Sequence, residues 1–286
     1  MMIKRNTIKL ADGTVLPAIG QGTWHMGDDP SVRNEEIAAL RLGVELGMHV
    51  IDTAEMYGEG LAESLVGEAV QGIREEVFLV SKVYPHNAGR NRIITRCEQS
   101  LRRLKTDYLD LYLLHWRGDV PLAETVEGME KLVQDGKIAR WGVSNLDTDD
   151  MEELLSISKG SNCAVNQVLY HLGSRGIEVD LMPWQTERQI PIMAYSPLAQ
   201  GGTLRREIIG NGTVQAVAEK HRITPLQLML AWSIRNGQVL AIPKSSKEEH
   251  VKQNAAAYEA QLTEEDLKDL DSAFPKPDHK VPLEMI

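Results

Sequence analysis

Short apolar clusters alternate with longer, partly polar segments along this chain. The clusters have the length and composition of buried β-strands, whereas in the longer segments apolar residues recur every three to four positions, as in amphipathic helices. Such alternation predicts βαβ units around a parallel sheet. The predicted strands span residues 18–23, 49–52, 77–82, 109–115, 139–144, 163–167, 191–195 and 239–243. The predicted helices span residues 34–46, 60–71, 92–104, 122–135, 148–158, 213–221, 226–234 and 263–273.

A different pattern precedes the first of these strands. Residues 7–10 and 15–18 are short strand-like stretches on either side of Asp12 and Gly13, a pair that favours a tight turn between two strands. We therefore predict a β-hairpin followed by eight strands that alternate with helices. This order fits a (β/α)8 TIM barrel of the α/β class, closed at its N-terminal end by the hairpin. We expect a single domain over residues 1–286.

An open Rossmann sheet is the alternative arrangement of the same elements. Its glycine fingerprint is incomplete here, because Gly20 and Gly22 are followed by His25 where the third glycine would stand. The barrel is therefore the predicted fold.

Charge and cysteine content narrow the classes of protein. The net charge of −10 disfavours a nucleic-acid partner, which needs a basic face. Two cysteines, Cys97 and Cys163, are too few for a disulfide framework or a structural zinc site and suit a reducing compartment. Residues 1–10 lack the apolar core of a signal peptide, and no apolar run has membrane-spanning length. We expect a cytoplasmic monomer or weak oligomer with no membrane partner.

Polar side chains follow the carboxyl ends of seven consecutive predicted strands. In a barrel these ends meet at one mouth, where functional residues collect. Their convergence predicts a binding site for a small molecule or cofactor at that mouth. The residues concerned are Asp52, Lys82, His115, Ser144, Asn145, Gln167, Tyr195, Ser196, Lys244 and Ser245.

Short motifs at these strand ends also follow one another in a recognisable order. They are Asp-Thr-Ala-Glu-Met-Tyr-Gly at 52–58, Ser-Lys at 81–82, Leu-Leu-His-Trp at 113–116, Gly-Val-Ser-Asn at 142–145, Asn-Gln at 166–167, Tyr-Ser-Pro-Leu at 195–198 and Ile-Pro-Lys-Ser at 242–245. Each motif alone is weakly specific, but together they resemble the aldo-keto reductase family over the whole chain. The chain is most similar to bacterial aldehyde reductases of the methylglyoxal type. The resemblance implies an NADP-dependent oxidoreductase that reduces aldehydes.

The catalytic tetrad of the family matches four residues of this chain. The resemblance makes Tyr57 the general acid and Lys82 a cation that lowers the pKa of the tyrosine from about 10. Asp52 then holds Lys82 by an ion pair, and His115 binds and orients the carbonyl oxygen. Taken singly, each residue has a plain structural explanation, because buried charges usually pair and a loop tyrosine or strand-end histidine often only packs.

The resemblance implies NADPH (NADP+) as the cofactor, with NADH bound more weakly. Ser144, Asn145 and Gln167 are expected to bind the nicotinamide carboxamide, and Tyr195 to stack on its ring. The complete set of implied cofactor residues is Gly22, Thr23, Trp24, Asp52, Ser144, Asn145, Gln167, Tyr195, Ser196, Leu198, Gly201, Lys244, Ser245, His250, Gln253 and Asn254.

The phosphates of the cofactor are assigned to two segments by the same resemblance. Ser196 and the backbone of residues 198–202 are expected at the pyrophosphate, and Lys244 with Ser245 at the adenosine 2′-phosphate. Many NADPH-specific members have an arginine five residues after the Lys-Ser pair, where this chain has His250. A histidine carries at most one charge and binds phosphate less firmly than arginine, so we expect a reduced preference for NADPH. The adenine residues are Gln253 and Asn254.

Aromatic side chains are expected to form the walls of the substrate pocket. Trp24 and Trp116 match wall positions of the family, beside Tyr57 and His115, and favour small aldehydes. The segment 272–286 is short, and in the family the corresponding loop shapes the pocket. We therefore expect an open, permissive site.

Of three other functions, the first is disfavoured and the other two remain as alternatives. No metal site is predicted, because neither a His-x-His after the first strand nor a His-Glu-x-x-His motif occurs, which counts against a barrel metallohydrolase. A metal-independent barrel isomerase could use Asp52 and Lys82 as an acid–base pair. A cofactor-sensing regulatory subunit is also compatible, although the chain begins directly at the hairpin. Steady NADPH turnover with a small aldehyde would distinguish the reductase from the isomerase and the regulatory subunit.

Overall fold

The computed structural model describes residues 6–286. The predicted domain and the polar amino-terminal stretch include residues 1–5, which lie outside the described residues. The predicted hairpin is present: β1 (Thr7–Lys9) pairs antiparallel with β2 (Val15–Pro17), with Ile8 opposite Leu16. Gly13 in the turn has a φ of 91°, a left-handed conformation that glycine adopts without strain.

Eight short parallel strands follow the hairpin and form a closed ring. Each strand pairs with its neighbours in chain order, and bridges from Ile19 to Ala241 and from Gly22 to Lys244 join the last strand to the first. The predicted (β/α)8 barrel is therefore confirmed, and the open Rossmann alternative is wrong. The strands are β3 (Gln21–Gly22), β4 (Val50–Asp52), β5 (Phe78–Val83), β6 (Leu111–Leu114), β7 (Trp141–Ser144), β8 (Asn166–Leu169), β9 (Ile192–Tyr195) and β10 (Val239–Ala241).

Helices surround this ring. They are α1 (Arg33–Glu45), α2 (Leu61–Ala69), α3 (Arg90–Leu104), α4 (Leu122–Gln134), α5 (Thr148–Ser156), α6 (Leu181–Glu187), α7 (Gly202–Gly210), α8 (Gly212–His221), α9 (Pro225–Ser233), α10 (Glu248–Ala256) and α11 (Glu264–Ala273). The sequence pattern did not predict α6, α7 and α10. Each buries too few apolar side chains to show a helical period: α7 buries only Ile208, and α10 buries Val251 beside the polar Asn254.

The hairpin fills one end of the barrel. Its apolar residues Ile8, Leu10 and Leu16 belong to the same buried cluster as interior strand residues such as Leu113 and Leu240. A second, larger apolar cluster lies between the strands and the helices. Because the amino-terminal end is closed in this way, the carboxyl ends of the strands are left as the place for a site.

Three findings bear on the predicted class of protein. Both cysteines are buried free thiols, and burial raises the pKa of each to about 12. Within residues 6–286, no cluster of side chains could hold a metal ion. None of the helices in the same range has the length and apolar character needed to cross a membrane.

Candidate active site

A cavity of about 660 Å³ lies at the carboxyl ends of the barrel strands, within the usual size range of ligand pockets. The predicted site residues that line it are Gly22, Thr23, Trp24, Asp52, Tyr57, His115, Trp116, Ser144, Asn145, Gln167, Tyr195, Ser196, Leu198 and Lys244. Lys82 lies just beneath the cavity wall, in contact with Tyr57. Five predicted cofactor residues are outside the lining: Gly201, Ser245, His250, Gln253 and Asn254. The roles of all these residues, inside and outside the lining, stay predictions.

Lys82 lies at the centre of the predicted tetrad. Its side chain is fully buried on β5, and its ammonium donates hydrogen bonds to Asp52 Oδ2 at 2.7 Å, to the Thr53 carbonyl at 2.9 Å and to Tyr57 Oη at 2.9 Å. An ammonium group has three donors, so all are used and the side chain is held in one position. Because Tyr57 accepts a hydrogen bond from Lys82, its own hydroxyl proton is left to donate to a group in the cavity.

Both carboxylate oxygens of Asp52 are also engaged. Oδ2 accepts from Lys82, and Oδ1 accepts from Gln167 Nε2 at 2.8 Å. The carboxylate is almost completely buried, and a buried charge is tolerated only when it is paired and hydrogen-bonded. The sequence indicated Gln167 for the nicotinamide carboxamide. In the structure, one N–H of the Gln167 side-chain amide is used in the hydrogen bond to Asp52, a residue of the tetrad.

The acidity of Tyr57 differs from the expectation. Burial raises the pKa of Tyr57 above its ordinary value, the Lys82 ammonium lowers it only in part, and the Asp52 carboxylate acts in the same direction as burial. Lys82 therefore lowers the pKa of Tyr57, as predicted, but burial outweighs this effect and the pKa stays above that of free tyrosine. Tyr57 is protonated at neutral pH, which is the form that a general acid needs.

Lys82 is charged. Burial of its ammonium disfavours the charge, but the Asp52 carboxylate and the Tyr57 hydroxyl outweigh this effect and raise the pKa of Lys82 above its ordinary value. A fixed positive charge therefore lies 2.9 Å from the oxygen of Tyr57. This charge can stabilise the phenolate that forms when Tyr57 gives up its proton.

His115 contributes a neutral imidazole to the cavity. Burial and the nearby Lys82 ammonium hold the pKa of His115 well below its ordinary value. Its ring meets the ring of Tyr57 edge-on at 5.8 Å, and its buried Nδ1 has no hydrogen-bond partner in the described part of the chain. A neutral ring has one N–H donor, so His115 can hydrogen-bond a carbonyl oxygen without placing a second cation beside Lys82.

Two tryptophans form walls of the cavity. Trp24 stacks on His25 at 4.5 Å, and Trp116 packs edge-on against Tyr84 at 5.8 Å. His25, which was not among the predicted site residues, is also hydrogen-bonded to Asp28. These contacts hold the indole rings and give the pocket a firm aromatic boundary.

The carboxy-terminal tail (residues 275–286) reaches this cavity, contrary to the open site that its short length suggested. Met285 and Ile286 line the cavity. Burial raises the pKa of Tyr195, the predicted nicotinamide-stacking residue, and the nearby backbone of Ile286 offsets this only in part. The tail therefore narrows the space beside the tetrad.

Ionic contacts and one close approach anchor the tail. A Cβ at Gly176 would lie 2.7 Å from Val281, so the tail packs here against a residue without a side chain. Glu284 is hydrogen-bonded to Ser174. Lys280 lies 3.2 Å from carboxylate oxygens of two aspartates and 3.6 Å from a third: Asp149, Asp180 and Asp147.

The predicted nicotinamide-binding residues form a connected group. Tyr195 donates to Asn145 Oδ1 at 3.0 Å, and Asn145 Nδ2 donates to the His115 carbonyl at 3.2 Å. Ser144 Oγ donates to the Gln167 carbonyl at 2.8 Å. The half-buried Tyr195 ring beside these amides offers the flat face and polar edge that a nicotinamide ring needs.

Strained backbone is concentrated in the cavity lining. The four non-glycine residues concerned have φ values between 48° and 63°, in the left-handed region. Such conformations are costly and cluster at functional sites. The residues are His25, Asn145, Ser196 and Ala199.

Two cations face the predicted phosphate region. Lys244 was predicted, whereas Arg205 on α7 was missed, because α7 was not recognised as a helix. Arg205 donates to the carbonyls of Leu198 and Ala199, at 2.8 and 2.5 Å, and no carboxylate of the described residues pairs with it. It therefore shapes the predicted pyrophosphate loop and adds an uncompensated positive charge. Side-chain amides, an aromatic ring and two cations line the same cavity. This combination fits a nicotinamide adenine dinucleotide phosphate.

Comparison with known proteins identifies the family. The model of the Aldo/keto reductase family matches residues 18–274 of this chain. The chain therefore belongs to the aldo/keto reductase family, and the resemblance noted in its motifs is confirmed.

Individual relatives are similar over nearly the whole chain. Methylglyoxal reductase YeaE of Escherichia coli is 56% identical over 99% of this chain and 100% of its own length. Glyoxal reductase of Bacillus subtilis is 35% identical over 94% of this chain and 92% of its own length. An aldo-keto reductase of Klebsiella pneumoniae solved in complex with NADPH is 54% identical over 100% of both chains, with a TM-score of 0.97.

Proposed function

We propose that this protein is an NADPH-dependent reductase that converts small aldehydes, including 2-oxoaldehydes such as methylglyoxal, to alcohols. Family membership, the relatives named as methylglyoxal and glyoxal reductases, and the NADPH complex of the Klebsiella relative support this proposal. The reductase works in the cytoplasm, where its two buried thiols stay reduced.

One observation carries the chemical part of the proposal. Tyr57 and the charged Lys82 share a hydrogen bond of 2.9 Å at a cavity that is also lined by His115. The hydroxyl proton of Tyr57 is not used in the hydrogen bond with Lys82. It can therefore be donated to a molecule bound in the cavity. Reduction of a carbonyl needs such a proton donor beside the carbonyl oxygen.

The reaction divides between the cofactor and the tetrad. Bound NADPH supplies the hydride that adds to the carbonyl carbon. Tyr57 donates its proton to the carbonyl oxygen as negative charge develops there, since an alkoxide is a far stronger base than a phenolate. Lys82 stabilises the phenolate, Asp52 holds Lys82, and His115 donates a hydrogen bond that orients the oxygen. Tyr57 then regains a proton from water.

Other residues of the cavity wall would hold the cofactor. Ser144, Asn145 and Gln167 would bind the nicotinamide carboxamide, and Tyr195 would stack on its ring. Ser196 would bind the pyrophosphate. The other proposed cofactor residues are Gly22, Thr23, Trp24, Leu198, Gly201, Lys244, Ser245, His250, Gln253 and Asn254.

A panel of aldehydes and ketones assayed with NADPH and NADH tests the proposed function. We expect kcat/KM for methylglyoxal and other small aldehydes to exceed that for bulky ketones by about tenfold or more, because Trp24, Trp116 and Met285 limit the space beside Tyr57. A steroid-sized ketone with a higher kcat/KM than every aldehyde would contradict this expectation. NADPH binding without turnover of any carbonyl would favour the regulatory-subunit alternative, and substrate conversion without NADPH oxidation the isomerase.

His250 is expected to weaken the preference for NADPH. It is exposed in the first turn of α10, outside the cavity lining that includes Lys244. Arginine is always charged and binds a phosphate with two parallel hydrogen bonds, so we expect His250→Arg to tighten NADPH binding about three- to tenfold.

Dissociation constants of NADPH and NADH, measured for the wild type and for His250→Arg, check this expectation. Lys252→Arg is the matched control, because Lys252 lies on the same helix and is paired with Glu248. The control should leave both affinities unchanged. If His250→Arg does not tighten NADPH binding, His250 does not contact the 2′-phosphate.

A further inference from the structure

Glu63 is a buried carboxylate that the reaction described above does not use. It lies in the first turn of α2, and its side chain has no exposed surface. Its Oε1 accepts a hydrogen bond from Ser81 Oγ at 2.5 Å, and its Oε2 lies 2.6 Å from Arg103 Nε. A charge at this depth is tolerated only because these partners compensate for lost hydration. Each of these two partners is next to a segment that carries a residue of the tetrad.

The first partner is next to the catalytic lysine. Ser81 directly precedes Lys82 on β5, and successive side chains of a strand point to opposite faces. Lys82 therefore points into the barrel, while Ser81 points out towards α2. The hydrogen bond from Ser81 to Glu63 therefore holds the outer face of β5 next to the residue whose ammonium, that of Lys82, lies on the inner face.

The second partner covers the turn that carries the catalytic tyrosine. Residues Tyr57–Gly60 form a short 3-10 turn in which the last three residues have left-handed φ values of 57°, 53° and 94°. A Cβ at Gly60 would lie 2.6 Å from Cδ and Nε of Arg103, so the arginine packs directly on the end of this turn. Glu59 is the non-glycine residue of the three, so its left-handed conformation is strained and is helped by such support.

We propose that Glu63, Ser81 and Arg103 form a positioning cluster that keeps Lys82 Nζ within hydrogen-bond distance of Tyr57 Oη. Lys82 and Tyr57 lie on different elements. The Glu63 carboxylate is bonded to Ser81, which precedes Lys82, and to Arg103, which packs on the turn that contains Tyr57. Loosening either contact lengthens the hydrogen bond that stabilises the phenolate, so proton transfer slows. None of the three cluster residues lines the cavity, so cofactor binding is unaffected.

The test uses two variants of the full-length protein and rests on the proposed function, because it follows aldehyde reduction. Glu63→Gln keeps the size of the side chain but removes its charge, and Ser81→Ala removes one hydrogen bond. With NADPH saturating, we expect single-turnover reduction of methylglyoxal to slow about tenfold in the first variant and about threefold in the second. The solvent deuterium isotope effect should rise in both, since proton transfer becomes more limiting. The NADPH dissociation constant should stay within about twofold of wild type.

Glu68→Gln is the matched control. Glu68 lies on the same helix and pairs with an arginine, Arg33, but contacts neither Ser81 nor the turn. The control should keep the wild-type rate and isotope effect. The proposal is wrong if Ser81→Ala and every folded Glu63 variant keep the wild-type rate while losing only thermal stability, or if Glu68→Gln slows reduction equally. A wild-type protein that reduces no aldehyde would refute the proposed function instead.

Discussion

Replacing Tyr57 by phenylalanine is expected to lower kcat for aldehyde reduction by at least ~10²-fold, the usual contribution of a positioned general acid. Phenylalanine keeps the ring that lines the cavity but removes the hydroxyl that Lys82 contacts at 2.9 Å. The NADPH dissociation constant should remain near the wild-type value, since the hydroxyl is bonded to Lys82 and is assigned to the substrate. Single-turnover kinetics and fluorescence titration with NADPH measure the two quantities separately.

Tyr84→Phe provides the control for loss of a tyrosine hydroxyl near the site. Tyr84 packs against Trp116 but does not line the cavity. Its variant should retain most of the wild-type turnover. A Tyr57→Phe protein with near-normal turnover, under conditions in which hydride transfer limits the rate, would remove Tyr57 from the role of general acid.

Replacing Lys82 by methionine should have an equally large effect on turnover and a further effect on stability. The ammonium that stabilises the phenolate is lost, and the pKa of Tyr57 rises further because Lys82 is the group that lowers it. We expect kcat to fall by ~10²–10³-fold, comparable to loss of an oxyanion-hole donor. The buried Asp52 carboxylate also loses its partner, which should lower the free energy of unfolding by about 3–5 kcal/mol.

The double variant Asp52→Asn/Lys82→Met separates these two effects. Removing both charges abolishes the unpaired carboxylate, so stability should recover towards the wild-type value. Turnover should stay low, because no cation lies beside Tyr57. Denaturant unfolding and steady-state kinetics on the two variants give the comparison. Recovery of turnover in the double variant would show that the cation is dispensable for catalysis.

The barrel was predictable because its strands are apolar clusters that end in polar residues. Strand ends such as Asp52, His115 and Gln167 are marked in the sequence by an abrupt change from apolar to polar, and the structure brings them to one cavity. The order of the strands also follows from the chain, since consecutive parallel strands joined by a helix become neighbours.

Three helices were not predictable from periodicity. Helix α6 has only seven residues and contains Pro183, and α7 buries a single apolar residue, Ile208. In the structure α7 packs against α8, and α10 packs against α1 and α9. Arg205 and its charge in the cavity were missed for the same reason.

The detailed contacts of the site depend on distances that a sequence does not contain. Nothing in the chain pairs Gln167 with Asp52, which are 115 positions apart, or shows that burial outweighs Lys82 in setting the pKa of Tyr57. Glu63 resembles an ordinary helix-surface residue until its burial against Ser81 is seen.

The carboxy-terminal tail forms a part of the cavity wall that can vary in sequence independently of the barrel. None of residues 275–286 is fully buried. Lys280 holds the segment through charge, and the partly buried Leu283 packs against the apolar core. Asp52 and Lys82 of the tetrad, by contrast, are buried side chains on the strands β4 and β5. Mutations in the tail can therefore reshape the wall formed by Met285 and Ile286 without disturbing the packing that sustains the fold. Substrate range can in this way diverge among related proteins, or be redesigned, while the reaction chemistry is inherited unchanged.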